Sequence, residues 1–189
     1  MVNISDIRYI AGFFDGEGSI GIYENGRGLF YLRTQLVQNS GRQSEGLMQM
    51  MVTRFGGHYS RQGTLSGRLK LNWQLSSTPA FRFLRQIEPF LVLKREQAQL
   101  AIAWQVQRPL PSRDMLGRMK PYSVDYGFDA KVSKLLKELK HGDLKLVVRD
   151  FPELAAIAVT LLGYPSLEHS GPQSPLADSG QSSAIYLPS

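Results

Sequence analysis

Hydrophobic and polar positions change period several times along the chain, and each change marks an element. Ile7, Ile10, Ala11 and Phe14 fall at helical spacing, with Ser5 placed to cap that helix and Gly16 and Gly18 to end it. From Ser19 to Tyr23 and from Leu29 to Gln38 the period drops to two, which predicts a hairpin turning at Asn25-Gly26-Arg27-Gly28. In its second strand Phe30, Leu32, Thr34 and Leu36 share one face, and Tyr31, Arg33, Gln35 and Val37 the other. Gly46 to Phe55 carries Leu47, Met50, Met51 and Phe55 as a short amphipathic helix, stopped by Gly56-Gly57. A second hairpin, His58 to Arg61 and Arg68 to Leu75, points Leu69, Leu71, Trp73 and Leu75 inward and Arg68, Lys70, Asn72 and Gln74 outward. Pro79 opens a helix with Phe81, Leu84 and Ile87, and Leu93 to Val106 forms another before Pro109 and Pro111 stop it. A lysine-rich helical pattern over Ala130 to Val148 follows. A last helix is started by Asp150-Phe151-Pro152-Glu153 in the manner of a capping box, and ends at Gly163.

This order predicts an α+β fold: an αββαββα core with an antiparallel sheet, helices on one sheet face, the other face open to solvent, and further helices C-terminal to it. The 189 residues, 42% of them apolar, suit one domain or a core with an extension. Residues 1–110 read as the core, 111–164 as a helical extension, and 165–189, rich in Ser, Pro and Gly, as a disordered tail. The lack of cysteine excludes a disulfide framework, thiolate zinc sites and cysteine nucleophiles. His58, His141 and His169 are scattered without metal-ligand spacing, which speaks against zinc. Neither a membrane-length apolar run nor a basic-then-apolar leader occurs, so a soluble, intracellular protein is expected, whether organellar, bacterial or phage-encoded.

The position of the charge says more than its amount. Twenty-two Lys and Arg against 16 Asp and Glu give a net charge of +6. From Arg27 to Lys70 there are seven basic residues and one acid, Glu45, so the excess in this stretch equals that of the whole chain. The outward face of both hairpins is thus basic, almost free of acids, and rich in long donors. An ordinary solvated sheet face is one account of it. A two-stranded ribbon fitted to the major groove is the other, with Arg and Lys suited to guanine and Gln and Asn to adenine. On the second account the reading side chains are Tyr23, Asn25, Arg27, Tyr31, Arg33, Gln35, Arg61, Arg68, Lys70, Asn72 and Gln74.

The sharpest segment is Tyr9 to Ile20. Glycine inside a helix costs about 1 kcal/mol relative to alanine, so Gly12 needs a reason. Ala11, Gly12, Asp15 and Gly16 fall at three- and four-residue spacing, a small-residue patch that lets another backbone approach. Glu17, at the helix end, offers hard oxygen to a divalent cation. A tightly packed core helix ending in a solvated carboxylate would carry the same residues.

Ile10-Ala11-Gly12-Phe13-Phe14-Asp15-Gly16-Glu17-Gly18 resembles the LAGLIDADG motif of homing endonucleases. The resemblance runs over roughly residues 5 to 110 and is closest to the single-motif members, which work as homodimers. Phe90 to Ala98 resembles the segment with that group's active-site lysine, and Gln35 to Arg42 the segment with its water-organising polar residues. The resemblance implies a saddle-shaped sheet, Glu17 and the Gly16 carbonyl on Mg²⁺ (or Mn²⁺), Gln38 near the nucleophilic water, Lys94 beside the scissile phosphate and Arg42 in the surrounding network. Glutamate stands where the motif's name has its second aspartate; family members use either. One chain supplies one motif carboxylate, so two copies packed along Ala11, Gly12, Asp15 and Gly16 would bring two Glu17 side chains to one cleft. The implied activity is site-specific cleavage of double-stranded DNA at a long near-palindromic target, as for an intron-borne homing enzyme. The alternatives are an intron RNA maturase and a cleavage-inactive DNA-binding protein of the same fold. Neither a membrane nor an organic cofactor is expected. The lysines of Ala130 to Val148 are either a solvated face or contacts to flanking phosphates.

Overall fold

The computed structural model describes residues 6–26, 28–63, 67–108, 115 and 126–163. Ser5, Arg27 and the stretch from 165 onward lie outside them. Helix α1 (Ile7–Glu17) is capped by Asp6, whose carboxylate accepts the Arg8 N–H at 2.8 Å, and it buries Ile10, Ala11 and Phe14. It runs directly into β1 (Gly18–Glu24), because a Cβ on Gly18 would overlap the Phe14 ring and the junction has no room for a side chain. Strand β2 (Phe30–Asn39) follows, then α2 (Arg42–Phe55). The latter begins four residues before the Gly46 predicted from apolar spacing. Its polar first turn carries no apolar signal; the Ser44 hydroxyl holds it by donating to the Asn39 and Gly41 carbonyls, and Glu45 favours the positive helix end.

Strands β3 (His58–Gly63) and β4 (Leu69–Ser76) complete one antiparallel sheet of order β1-β2-β4-β3. Its register carries one row across all four strands, Gly18, Leu36, Trp73 and Tyr59, on the helix side. Helix α3 (Thr78–Ile87) lies on that side, and Phe83 meets Phe14, Phe55 and Trp73 edge-to-face with ring centroids 4.9–5.2 Å apart. The Trp73 indole donates to the Gly56 carbonyl at 3.0 Å, so its polar atom is satisfied within the core. A 3-10 turn (Glu88–Phe90) leads to α4 (Arg95–Gln107).

The C-terminal helices close the same core. Helix α5 (Tyr126–Glu138) runs along the free edge of β1, where the Ser133 hydroxyl donates to the Ile22 carbonyl at 2.8 Å. Asp129 accepts from the Trp104 indole at 2.6 Å and lies 3.8 Å from Arg108, which also donates to the Phe30 carbonyl. The helical pattern expected from Ala130 to Val148 is broken in two at Gly142: α6 (Leu144–Asp150) starts afresh because the Asp143 side chain accepts the Leu146 N–H at 2.9 Å. Asp150 ends α6 and pairs with Arg149 instead of capping the last helix. That helix, α7 (Ala155–Leu162), is entered through a 3-10 turn at Pro152–Leu154 and ends at the left-handed Gly163. Among the described residues no helix is long and apolar enough to cross a membrane.

Candidate active site and nucleic-acid interface

The motif helix and the turn before α4 meet through one carboxylate. Asp15 accepts the backbone N–H groups of Val92, Leu93 and Lys94, each at 2.8 Å. Burial works against its charged form, and the three donors outweigh burial, so its pKa falls below the ordinary 3.8. The Lys94 ammonium turns back onto the Asp15 carbonyl, within the fields of both Asp15 and Glu17. Burial, the larger influence, pulls the Lys94 pKa below the ordinary 10.5 against the pull of those two acids. Two residues beyond Asp15, the Glu17 side chain is exposed at the helix end. Glu17 and Lys94, distant in sequence, are therefore brought together by Asp15, two residues from the first and hydrogen-bonded to the second.

Gln38 is fixed by register. Gly18 pairs with Leu36, so Gln38 lies two residues past the row on which α1 ends, half-buried and opposite Leu71. Arg42 opens α2 and is exposed. Lys94, Arg95, Glu96, Lys140 and Asp143 line an open cleft of about 800 Å³ beside this end of the sheet. Among the described residues no three acidic or histidine side chains cluster as a metal cage. The donor set fits a hard divalent ion that keeps waters and takes its remaining ligands from phosphate oxygens: one exposed carboxylate next to a helix-end carbonyl.

The open face of the sheet is ordered in rows. Ser19, Gln35, Gln74 and His58 form one, Gly21, Arg33 and Ser76 the next, and Tyr23 with Tyr31 the third. Toward the other hairpin tip come Val37, Asn72 and Ser60, then Asn39, Lys70 and Gln62. None of these outward positions is acidic. Gln74 Nε2 lies 3.2 Å from His58 Nε2, and the Asn25 side chain accepts the Leu29 N–H within the first turn. Arg68 is exposed in the turn before β4.

Arg61 is a correction. It pairs with Leu71 and so stands on the helix side, where its guanidinium meets Glu45 at 3.0 Å. Its charge suggested the open face; its parity with Tyr59, which packs on the core, rules it out. His58, Ser60 and Gln62 hold the outward positions of β3, and the inward Tyr59 was the signal that would have found them. The small-residue patch divides likewise. Ala11 and Asp15 are buried against their own chain, whereas Gly12 and Gly16 are exposed, and a Cβ on either would touch nothing within 4 Å. Tyr9 on the same helix, and Phe90, Val92 and Leu93 in the segment bonded to Asp15, are exposed apolar residues, Val92 at 79% and Leu93 at 76% exposure.

No family model matches the chain, and no curated protein does. Two solved structures of the homing endonuclease I-CvuI are similar to it. One, in complex with its target in the presence of calcium, superposes with a TM-score of 0.53 at 16% identity over 78% of this chain and 93% of that one. The other, with the I-CreI target in the presence of magnesium and DNA not cleaved, gives 0.50 at 16% identity over the same shares. With the motif segment on the helix that ends at the sheet, and the order αββαββα around it, the chain has the fold of the LAGLIDADG homing endonucleases.

Proposed function

We propose that the chain is a homodimeric, Mg²⁺-dependent, site-specific DNA endonuclease. The observation that carries this reading is the Asp15 clamp, which holds the half-buried Lys94 ammonium beside the exposed Glu17 carboxylate at the end of an acid-free sheet face. The DNA complexes of I-CvuI support the same partner. Glu17 and the Gly16 carbonyl would hold the metal, which when bound polarises a phosphate oxygen and makes water more acidic. Lys94 faces the developing negative charge with an ammonium whose proton is less firmly held than usual. Gln38 offers an amide that both donates and accepts, suited to orienting water, and Arg42 adds positive charge at the rim. The open sheet face, including Tyr31, Gln35, Lys70 and Asn72, lies along the major groove. Exposed Gly12 and Gly16, which cost helix stability and meet nothing in their own chain, support a second copy packed against them.

The test is incubation with DNA joining the sequences that flank the gene, in Mg²⁺ and in Ca²⁺. Binding in both with double-strand cutting in Mg²⁺ is expected. Binding without any cutting in Mg²⁺ contradicts the enzyme reading and leaves a DNA-binding protein.

A further inference from the structure

On the second row of the open face, Arg33 stands across from Gly21, next to the Tyr23–Tyr31 pair. We propose that Arg33, held flat by Tyr23, reads a guanine in each half-site, and that this reading depends on Gly21. The inference rests on the DNA-binding function proposed above.

The guanidinium centre lies 3.9 Å from the Tyr23 ring centroid, and Tyr23 is itself braced by Tyr31 with centroids 6.2 Å apart. A Cβ on Gly21 would overlap the Tyr23 ring, so the ring folds back beneath Arg33 only because residue 21 lacks a side chain. No outward position of the sheet is acidic, and the buried Arg33 Nε has no hydrogen-bond partner among the described residues. The contact with the tyrosine face is therefore what would restrain the guanidinium and set its plane. Arg61 shows the contrast: it stands on the opposite side of the sheet, where one terminal nitrogen donates to Glu45. A guanidinium with a set plane matches the O6 and N7 acceptors of guanine, which form a two-pronged edge unique in the major groove. Holding the side chain before DNA arrives removes rotamer entropy that binding would otherwise cost.

The experiment is selection of binding sites from a randomised duplex library in Ca²⁺, with wild type, Arg33→Lys, Arg33→Ala and Gly21→Ala, each checked for folding by circular dichroism. Wild type should fix a G·C pair at one position of each half-site. Arg33→Ala should lower that preference by about ten- to a hundredfold and leave the other positions unchanged. Arg33→Lys, keeping the charge without the fork, should bind nearly as tightly with the preference weakened at the same position. Gly21→Ala should loosen that position although Arg33 is intact. If wild type selects a site and the Arg33 variants select it unaltered at every position, the guanine assignment is overturned while the DNA-binding reading stands. If wild type selects no site, both fall.

Discussion

At the scale of single residues, the site turns on how Asp15 and Lys94 share burial. Asp15 has a folded pKa below its unfolded value, so the stability it contributes is fully present above about pH 3.8 and is lost as the pH falls through the lower folded value. Asn at this position keeps one acceptor and loses the charge. Hydrogen bonds to charged groups contribute about 1.5 to 3 kcal/mol each, so Asp15→Asn should destabilise by about 2 kcal/mol in urea unfolding at neutral pH, with the gap to wild type narrowing in acid. Lys94 runs the other way. Its pKa is depressed, so the folded chain disfavours the charged amine, and removing the charge should relieve that cost below the pKa. Lys94→Met should melt no lower than wild type while losing at least about tenfold in cleavage, the trade expected of an active-site charge. A variant that unfolds more easily and still cuts normally would count against Lys94's role. The sequence offered Glu17 through the motif, and Gln38 and Lys94 through the two segments that resemble the family's, as expectations. The Asp15 clamp was not legible there, because its partners lie 77 to 79 residues away and no local pattern encodes such a pairing.

At the scale of elements, alternation and helical spacing named the strands and core helices, with errors where polar contacts, and not apolar period, decide. The early start of α2 rests on the Ser44 hydroxyl, the break between α5 and α6 on Asp143, and neither adds an apolar residue to a pattern. Arg61 shows the same limit in a strand: charge was read where parity governs. Helix α1 gives the clearest element-scale test. Gly12 weakens the helix and has free space around it, so Gly12→Ala should stabilise an isolated chain by about 1 kcal/mol. If a second copy packs there, the same methyl group should raise the dimer dissociation constant, measured by sedimentation across a concentration series. A variant that is more stable and dimerises as well as wild type would remove Gly12 from the interface.

At the scale of the whole molecule, the outward face of the sheet carries Arg33 and Lys70, with no acid at any outward position. Neutralised phosphates release counterions, so affinity should fall linearly with salt on a log–log scale, with a slope of about 0.9 per contact. Lys70→Ala, present twice in a dimer, should reduce that slope by about two if Lys70 meets phosphate, against about one for a monomer. Helices α5 to α7 add to the same core, and α5 braces the edge of β1, so they support the sheet. The central claim is that one exposed carboxylate per chain, held beside a clamped lysine, makes this fold a nuclease. Its most direct test is cleavage of the selected target in Mg²⁺ by wild type and by Glu17→Gln at equal occupancy. Wild type should cut both strands, and the variant should bind as tightly and leave the DNA whole. Equal cutting by Glu17→Gln, or none by wild type bound to its target, would contradict the account.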